Sequence, residues 1–183
     1  MRLFVGLDLP YEMRRNLELL LALLKPQARI QWSPMENLHL TTKFIGEFEP
    51  QRLDALKAAL AAIPRPGALR IAMRGLGWFP NPHQPRVLFA GIQAPAALPE
   101  LARATGQACS ALGVATETKE YRPHLTLARI RQQQDLFALQ KTIAELPNTD
   151  FGAFQATAFH LYQSQPTPAG SVYTKLATFS LQA

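Results

Sequence analysis

The chain has 183 residues, 48% of them apolar, and a formal charge of +6. That is enough for one domain or two closely packed lobes around a sizeable core, and it excludes a disordered chain and a pair of large independent domains. The basic balance favours an anionic partner, nucleic acid first; because Lys and Arg are dispersed and form no run, folding has to assemble the anion site.

The first segment, Leu3–Asp8, is rich in strand formers and stops before Pro10, so it is predicted as a strand. Glu12–Lys25 places Met13, Leu17, Leu20, Leu21 and Leu24 at helical spacing. Its apolar run, like Leu3–Leu9, is too short for a signal peptide or a membrane span. Arg29–Trp32 is extended and Leu38–Ile45 is a strand closed by Gly46. Gln51–Ile63 is an amphipathic helix stopped by Pro64, and Leu69–Trp78 a strand. Phe79–Pro85 has three prolines and reads as an irregular loop. A second series follows: strand Val87–Ile92, helix Leu98–Leu112, extended pieces Val114–Thr118 and His124–Arg131, helix Asp135–Leu146, strand Phe154–Tyr162 and a last strand near Val172–Phe179. The single cysteine, Cys109, lies among small residues on a predicted helix. It forms no intrachain disulfide, fits a reducing cytoplasm and is expected to be a buried structural thiol.

The two series are one unit written twice. Phe4-Val5-Gly6-Leu7-Asp8-Leu9-Pro10 resembles Phe89-Ala90-Gly91-Ile92-Gln93-Ala94-Pro95, and His39-Leu40-Thr41 recurs as His124-Leu125-Thr126, both 85 residues further on. The expected fold class is α+β: duplicated β-α-β-β-α-β units forming two pseudo-twofold lobes with mainly antiparallel sheets around a central cleft. Unit one covers about 1–79, the loop 80–86 and unit two 87–183, in a single bilobal domain.

Residues i and i+2 share a strand face, so His39 with Thr41, and His124 with Thr126, each present an imidazole beside a hydroxyl, while Leu40 and Leu125 face a core. Two such pairs suit phosphate chemistry. Imidazole titrates near physiological pH, so one histidine can take a proton as the other gives one, and the hydroxyls can hold non-bridging oxygens. A structural histidine is the bland reading of either motif alone; the matched pair in a common register argues against it. Zinc wants three or four ligands, and neither motif holds a carboxylate or cysteine, so no metal and no cofactor are expected. No Gly-rich phosphate loop with Lys-Ser/Thr is present, which disfavours a nucleoside triphosphate enzyme. Lys43, four residues after His39, falls on the catalytic face by alternation, as a candidate for field or a backbone phosphate contact, with a solvated rim lysine the alternative. Phe44 in unit one matches Arg129 in unit two. By alternation Arg129 faces away from His124 unless a bulge turns it back, in which case it can clamp an anionic phosphate. Tyr121, Phe44, Trp78 and Phe79 are candidates for base stacking and Arg122 for a phosphate contact, with core packing the alternative for the aromatics. His83 is expected in an exposed loop; His160 is expected to be structural or peripheral.

At these residues the chain resembles the two-histidine (2H) phosphoesterases, and within them the RNA 2′,3′-cyclic phosphodiesterases, also called 2′-5′ RNA ligases. The stretches that carry the resemblance are Arg2–Pro10, Asn37–Glu47, Pro85–Gly91, Arg122–Arg129 and Leu161–Ser164. The resemblance implies a metal-free enzyme acting on RNA with a 2′,3′-cyclic phosphate end, tRNA fragments among the candidates. It implies His39 as proton donor to the leaving 3′ oxygen, His124 as the base that activates water, and a 2′-phosphate product. The motifs themselves, being nearly symmetric, do not assign the two roles. The reverse ligation, and a non-catalytic RNA-binding module, are the alternatives. Both histidines lie in one chain, so a monomer suffices.

Overall fold

In the first strand, Leu3, Val5 and Leu7 are fully buried, and Arg2, Phe4, Gly6 and Asp8 occupy the opposite face. The computed structural model, which describes residues Met1–Ala183, builds outward from that strand. In chain order the elements are β1 (Arg2–Asp8), α1 (Tyr11–Leu24), β2 (Gln31–Trp32), β3 (His39–Glu47), α2 (Leu53–Ala61), β4 (Leu69–Phe79), β5 (Val87–Gln93), α3 (Ala97–Ser110), β6 (His124–Arg129), α4 (Phe137–Ala144), β7 (Asp150–Ala156), β8 (Ala158–Thr167) and β9 (Gly170–Ser180). The fold is α+β, with two antiparallel sheets ordered β3-β1-β8-β9 and β2-β6-β5-β4-β7. No helix is long and apolar enough to cross a membrane.

The repeat units and the lobes are not the same objects. Each unit sends a strand to the other sheet: β4 of the first pairs with β5, and β8 of the second, which follows β7, pairs with β1. The helices cross as well. Met13, Leu17 and Leu21 of α1 pack with Leu139 of α4 against Leu88, Ala90, Leu125 and Leu127. Leu98, Leu101 and Cys109 of α3 pack with Leu56 and Leu60 of α2 against Leu3, Val5, Leu7 and Leu40. The loop 80–86 therefore divides the units along the chain but not the lobes in space. It closes a hairpin inside one sheet, with Trp78 opposite Leu88 and Phe79 opposite Val87.

Two predicted elements need correction. The expected strand Phe154–Tyr162 is two strands broken at Thr157, β7 in one sheet and β8 in the other. Strand-forming residues run through the switch with no Gly or Pro to mark it, so its cue is tertiary. Val114–Thr118 forms no strand and is mostly exposed; the Ala115 carbonyl instead accepts from Lys43. Helix ends shift by a few residues, as at α4, which starts at Phe137, with the Asp135 side chain accepting from the Phe137 amide ahead of it.

Glycine placement is testable. A Cβ at Gly91 would lie 2.4 Å from the Arg74 carbonyl oxygen, whereas one at Gly106, inside α3, meets nothing within 4 Å. Urea melts should show Gly91→Ala losing about 1–3 kcal/mol and Gly106→Ala gaining about 0.5–1 kcal/mol through helix propensity.

Candidate active site

A cleft of about 720 Å³ opens between the sheets and gathers His39, Thr41, His124 and Thr126. Both histidines begin their strands, β3 and β6, and Leu40 and Leu125 between the paired polar residues are fully buried. Each imidazole is held by the same device. His39 Nδ1 lies 2.7 Å from the Asn37 carbonyl, and His124 Nδ1 lies 2.8 Å from the Arg122 carbonyl. A carbonyl only accepts, so Nδ1 carries the hydrogen on both rings. Nε2 is left to exchange protons; on His39 it stands 2.8 Å from Thr41 Oγ1.

The surroundings of the two rings differ. His39 stacks on Phe4 at 4.5 Å, and Tyr173 meets it edge-on at 5.2 Å. His124 is edge-on to Phe79 at 5.0 Å and to Phe89 at 5.7 Å. Burial pulls the His39 imidazole down to about 4, against upward pulls from the Asn37 carbonyl and from Asp8.

Matched bulges decide which later residues reach the cleft. In the β1–β3 pair Val5 opposes Lys43 and Gly6 opposes Thr41, which leaves Thr42 over; its hydroxyl donates to the Val5 carbonyl. In the β5–β6 pair Leu88 opposes Ala128 and Phe89 opposes Thr126, which leaves Leu127 over. The extra residue resets alternation at the same place in both units. Phe44 and Arg129 therefore line the cleft at equivalent positions. The Arg2 guanidinium sits 5.9 Å from the centre of the Phe44 ring, so the first unit supplies through a neighbour the cation that the second supplies directly.

The same reset corrects the expectation for Lys43. It is turned off the catalytic face and 5% exposed, with Nζ donating to the Ala115 carbonyl at 3.2 Å and paired with Glu117 at 3.3 Å. It lines a second cavity of about 580 Å³ behind β3, and Tyr121 lines that cavity too. Tyr121 does not offer its ring to the cleft; its hydroxyl donates to the Thr41 carbonyl at 3.0 Å. The Arg122 side chain is exposed and does not line the cleft, its carbonyl being what supports His124. Trp78 packs against the second core, and Phe79 stacks on Phe89 beside His124. His83 is exposed. His160 is 7% exposed and contacts Thr178 and Asp8. Cys109 is fully buried, and burial raises its thiol to about 11.

Sequence reasoning passed over Arg2, Phe4, Asn37, Arg131, Ser171 and Tyr173, all of which line the cleft. Arg2 and Phe4 were legible as the face of β1 opposite Leu3 and Val5. Ser171 and Tyr173 arrive from β9 through the strand exchange and carry no local signal. No three of the His, Cys, Asp and Glu side chains gather as a metal-ligand set.

The family model for LigT-like phosphoesterases matches residues 7–89 and again 92–173, the spacing that separates His39 from His124. The chain belongs to that family. It is 31% identical to the RNA 2′,3′-cyclic phosphodiesterase of Methanothermobacter thermautotrophicus over 98% of both chains. It is 34% identical to that of Thermus thermophilus, covering all of this chain and 91% of the relative. Among solved structures, Escherichia coli LigT complexed with 3′-AMP superposes with a TM-score of 0.83 at 26% identity, covering 100% of this chain and 98% of that one. The chain is thus an enzyme of the 2H phosphoesterase class, a hydrolase.

A histidine held at about 4 when folded, against about 6.5 when unfolded, stays neutral where the unfolded chain binds a proton. Stability is therefore present above pH 6.5 and is lost as pH falls towards 4, by about 3 kcal/mol at most from this group. His160, also lowered by burial, acts in the same direction. Urea melts at pH 7 and pH 4.5 should show a smaller acid loss in His39→Gln than in the wild type; equal losses would contradict the placement.

Proposed function

We propose that the protein is an RNA 2′,3′-cyclic phosphodiesterase that opens a terminal cyclic phosphate to the 2′-phosphate without a metal ion. The observation that carries this is the convergence of two His-x-Thr pairs on one cleft, each ring tied at Nδ1 to a backbone carbonyl so that Nε2 is the nitrogen left for proton transfer. The names of the relatives support the RNA substrate, and the nucleotide complex of LigT supports binding at an RNA end.

His124 Nε2 takes a proton from water as its oxygen attacks phosphorus. The bond from phosphorus to the 3′ oxygen breaks, and His39 Nε2–H protonates that oxygen. Thr41 and Thr126 hold the non-bridging oxygens, and Arg129 balances their negative charge in the transition state. Burial holds His39 at about 4, which makes it neutral at pH 7 before substrate binds. A bound phosphate anion favours the imidazolium, so substrate arrival itself charges the donor.

The test uses EDTA-treated protein and a short RNA ending in a 2′,3′-cyclic phosphate, beside His39→Ala and His124→Ala. The wild type should yield the 2′-phosphate, and each variant should lose about 10²–10⁴-fold in kcat. A 3′-phosphate product would overturn the assignment of the leaving oxygen. RNA binding without turnover would make the cleft a binding site only.

A further inference from the structure

The two motifs match, but what stands opposite each histidine does not. Across the β1–β3 pair His39 faces Asp8, and across the β5–β6 pair His124 faces Gly91. The residue aligned with Asp8 by the sequence repeat is Gln93, also uncharged. Relative to its catalytic strand, β5 is slipped by two residues from the register that β1 adopts: Phe4 opposes Phe44, while Val87, not Phe89, opposes Arg129. An even slip keeps the faces and changes the neighbours. It gives one histidine a carboxylate and the other a glycine.

We propose that Asp8 makes His39, and not His124, the proton donor, by holding a negative charge on the cleft face of β1 directly opposite the His39 ring. The inference deepens the cyclic phosphodiesterase reading and rests on it. Side chains directly opposite in an antiparallel pair have Cβ atoms about 4.5–5.5 Å apart, within reach of an appreciable charge interaction. The carboxylate is fixed from behind: Tyr162 donates its hydroxyl to Asp8 Oδ1, Lys175 Nζ lies 2.5 Å from Oδ2, and His160 Nε2 lies 3.5 Å from the same oxygen.

The charged and titratable groups around His39 come from every neighbouring element. Arg2 and Asp8 lie on β1, and Arg14 of α1 is bonded to the Leu9 and Met35 carbonyls. Glu36 is exposed in the turn before β3. His160 and Tyr162 lie on β8, and Tyr173 and Lys175 on β9. His124, Arg129 and Arg131 face it across the cleft. Asp8 is the acidic group on the ring's own sheet face. Burial lowers the ring, Arg14 adds to that, and Asp8 opposes both. Asp8 is a positioning residue in this scheme: it touches no reacting atom and acts through His39, and Lys175 moderates it.

Two substitutions pull in opposite directions. Histidine titrations by ¹⁵N NMR and pH profiles of kcat on the cyclic-phosphate RNA would be measured for wild type, Asp8→Asn and Lys175→Met. Asp8→Asn should lower the His39 titration and move the alkaline limb of the kcat profile towards acid by about one unit. The acidic limb and His124 should stay fixed. Lys175→Met should move the same limb and the same ring upward. An unmoved His39 in both variants, or an Asp8→Asn loss equal at every pH, would overturn the proposal in favour of a packing role. Failure of the functional reading would appear separately, as absence of turnover in the wild type.

Discussion

The cleft that holds both histidines depends on a short stretch of chain that stitches one sheet to the other. Gln31 and Trp32 pair with Arg129 and Ala128 at the end of β6. The Ser33 amide then donates to the Leu127 carbonyl, and its hydroxyl to that of Thr126. A few residues later the same stretch enters β3 at His39. It is anchored from three sides: Arg14 of α1 donates to the Met35 carbonyl, the Asn37 side-chain Nδ2 donates to the Ser171 carbonyl, and the Asn37 backbone carbonyl receives His39 Nδ1. The cleft is therefore not a gap between two free lobes. Its two histidine-bearing strands are joined through this stretch by hydrogen bonds, three of the side-chain ones part-buried.

Strand and helix exchange reinforces that constraint. Since β4 and α1 serve the second lobe, and β8 and α3 the first, neither unit encloses its own apolar face without the other. The arrangement makes one cooperative body from a duplicated sequence and brings to the cleft residues far from either motif, such as Tyr173 and Ser171.

Duplication also gives a nearly symmetric scaffold with unlike surroundings at its two histidines. The bulges at Thr42 and Leu127 are shared and give both halves the same presentation of His, Thr and the residue beyond. The differences lie in what fills equivalent places: Phe44 capped by Arg2 against Arg129, a stacked imidazole against an edge-on one, Asp8 against Gly91. The two imidazoles differ through such neighbours while the backbone stays common to both.

The sequence by itself determined the duplication, the α+β class, most elements and the pairing of His39 with Thr41 and of His124 with Thr126 on one strand face, because strand and helix periodicity and an exact tripeptide repeat are legible along the chain. Tertiary structure decided the rest. A single bulge reverses every side chain beyond it, so alternation placed Lys43 in the cleft while the fold placed it behind β3. Which sheet a strand joins depends on pairing across large sequence separations, so Phe154–Tyr162 read as one strand and folded as two. The neighbours of Tyr121 and the carboxylate opposite His39 were fixed in the same way, by contacts that no local pattern encodes.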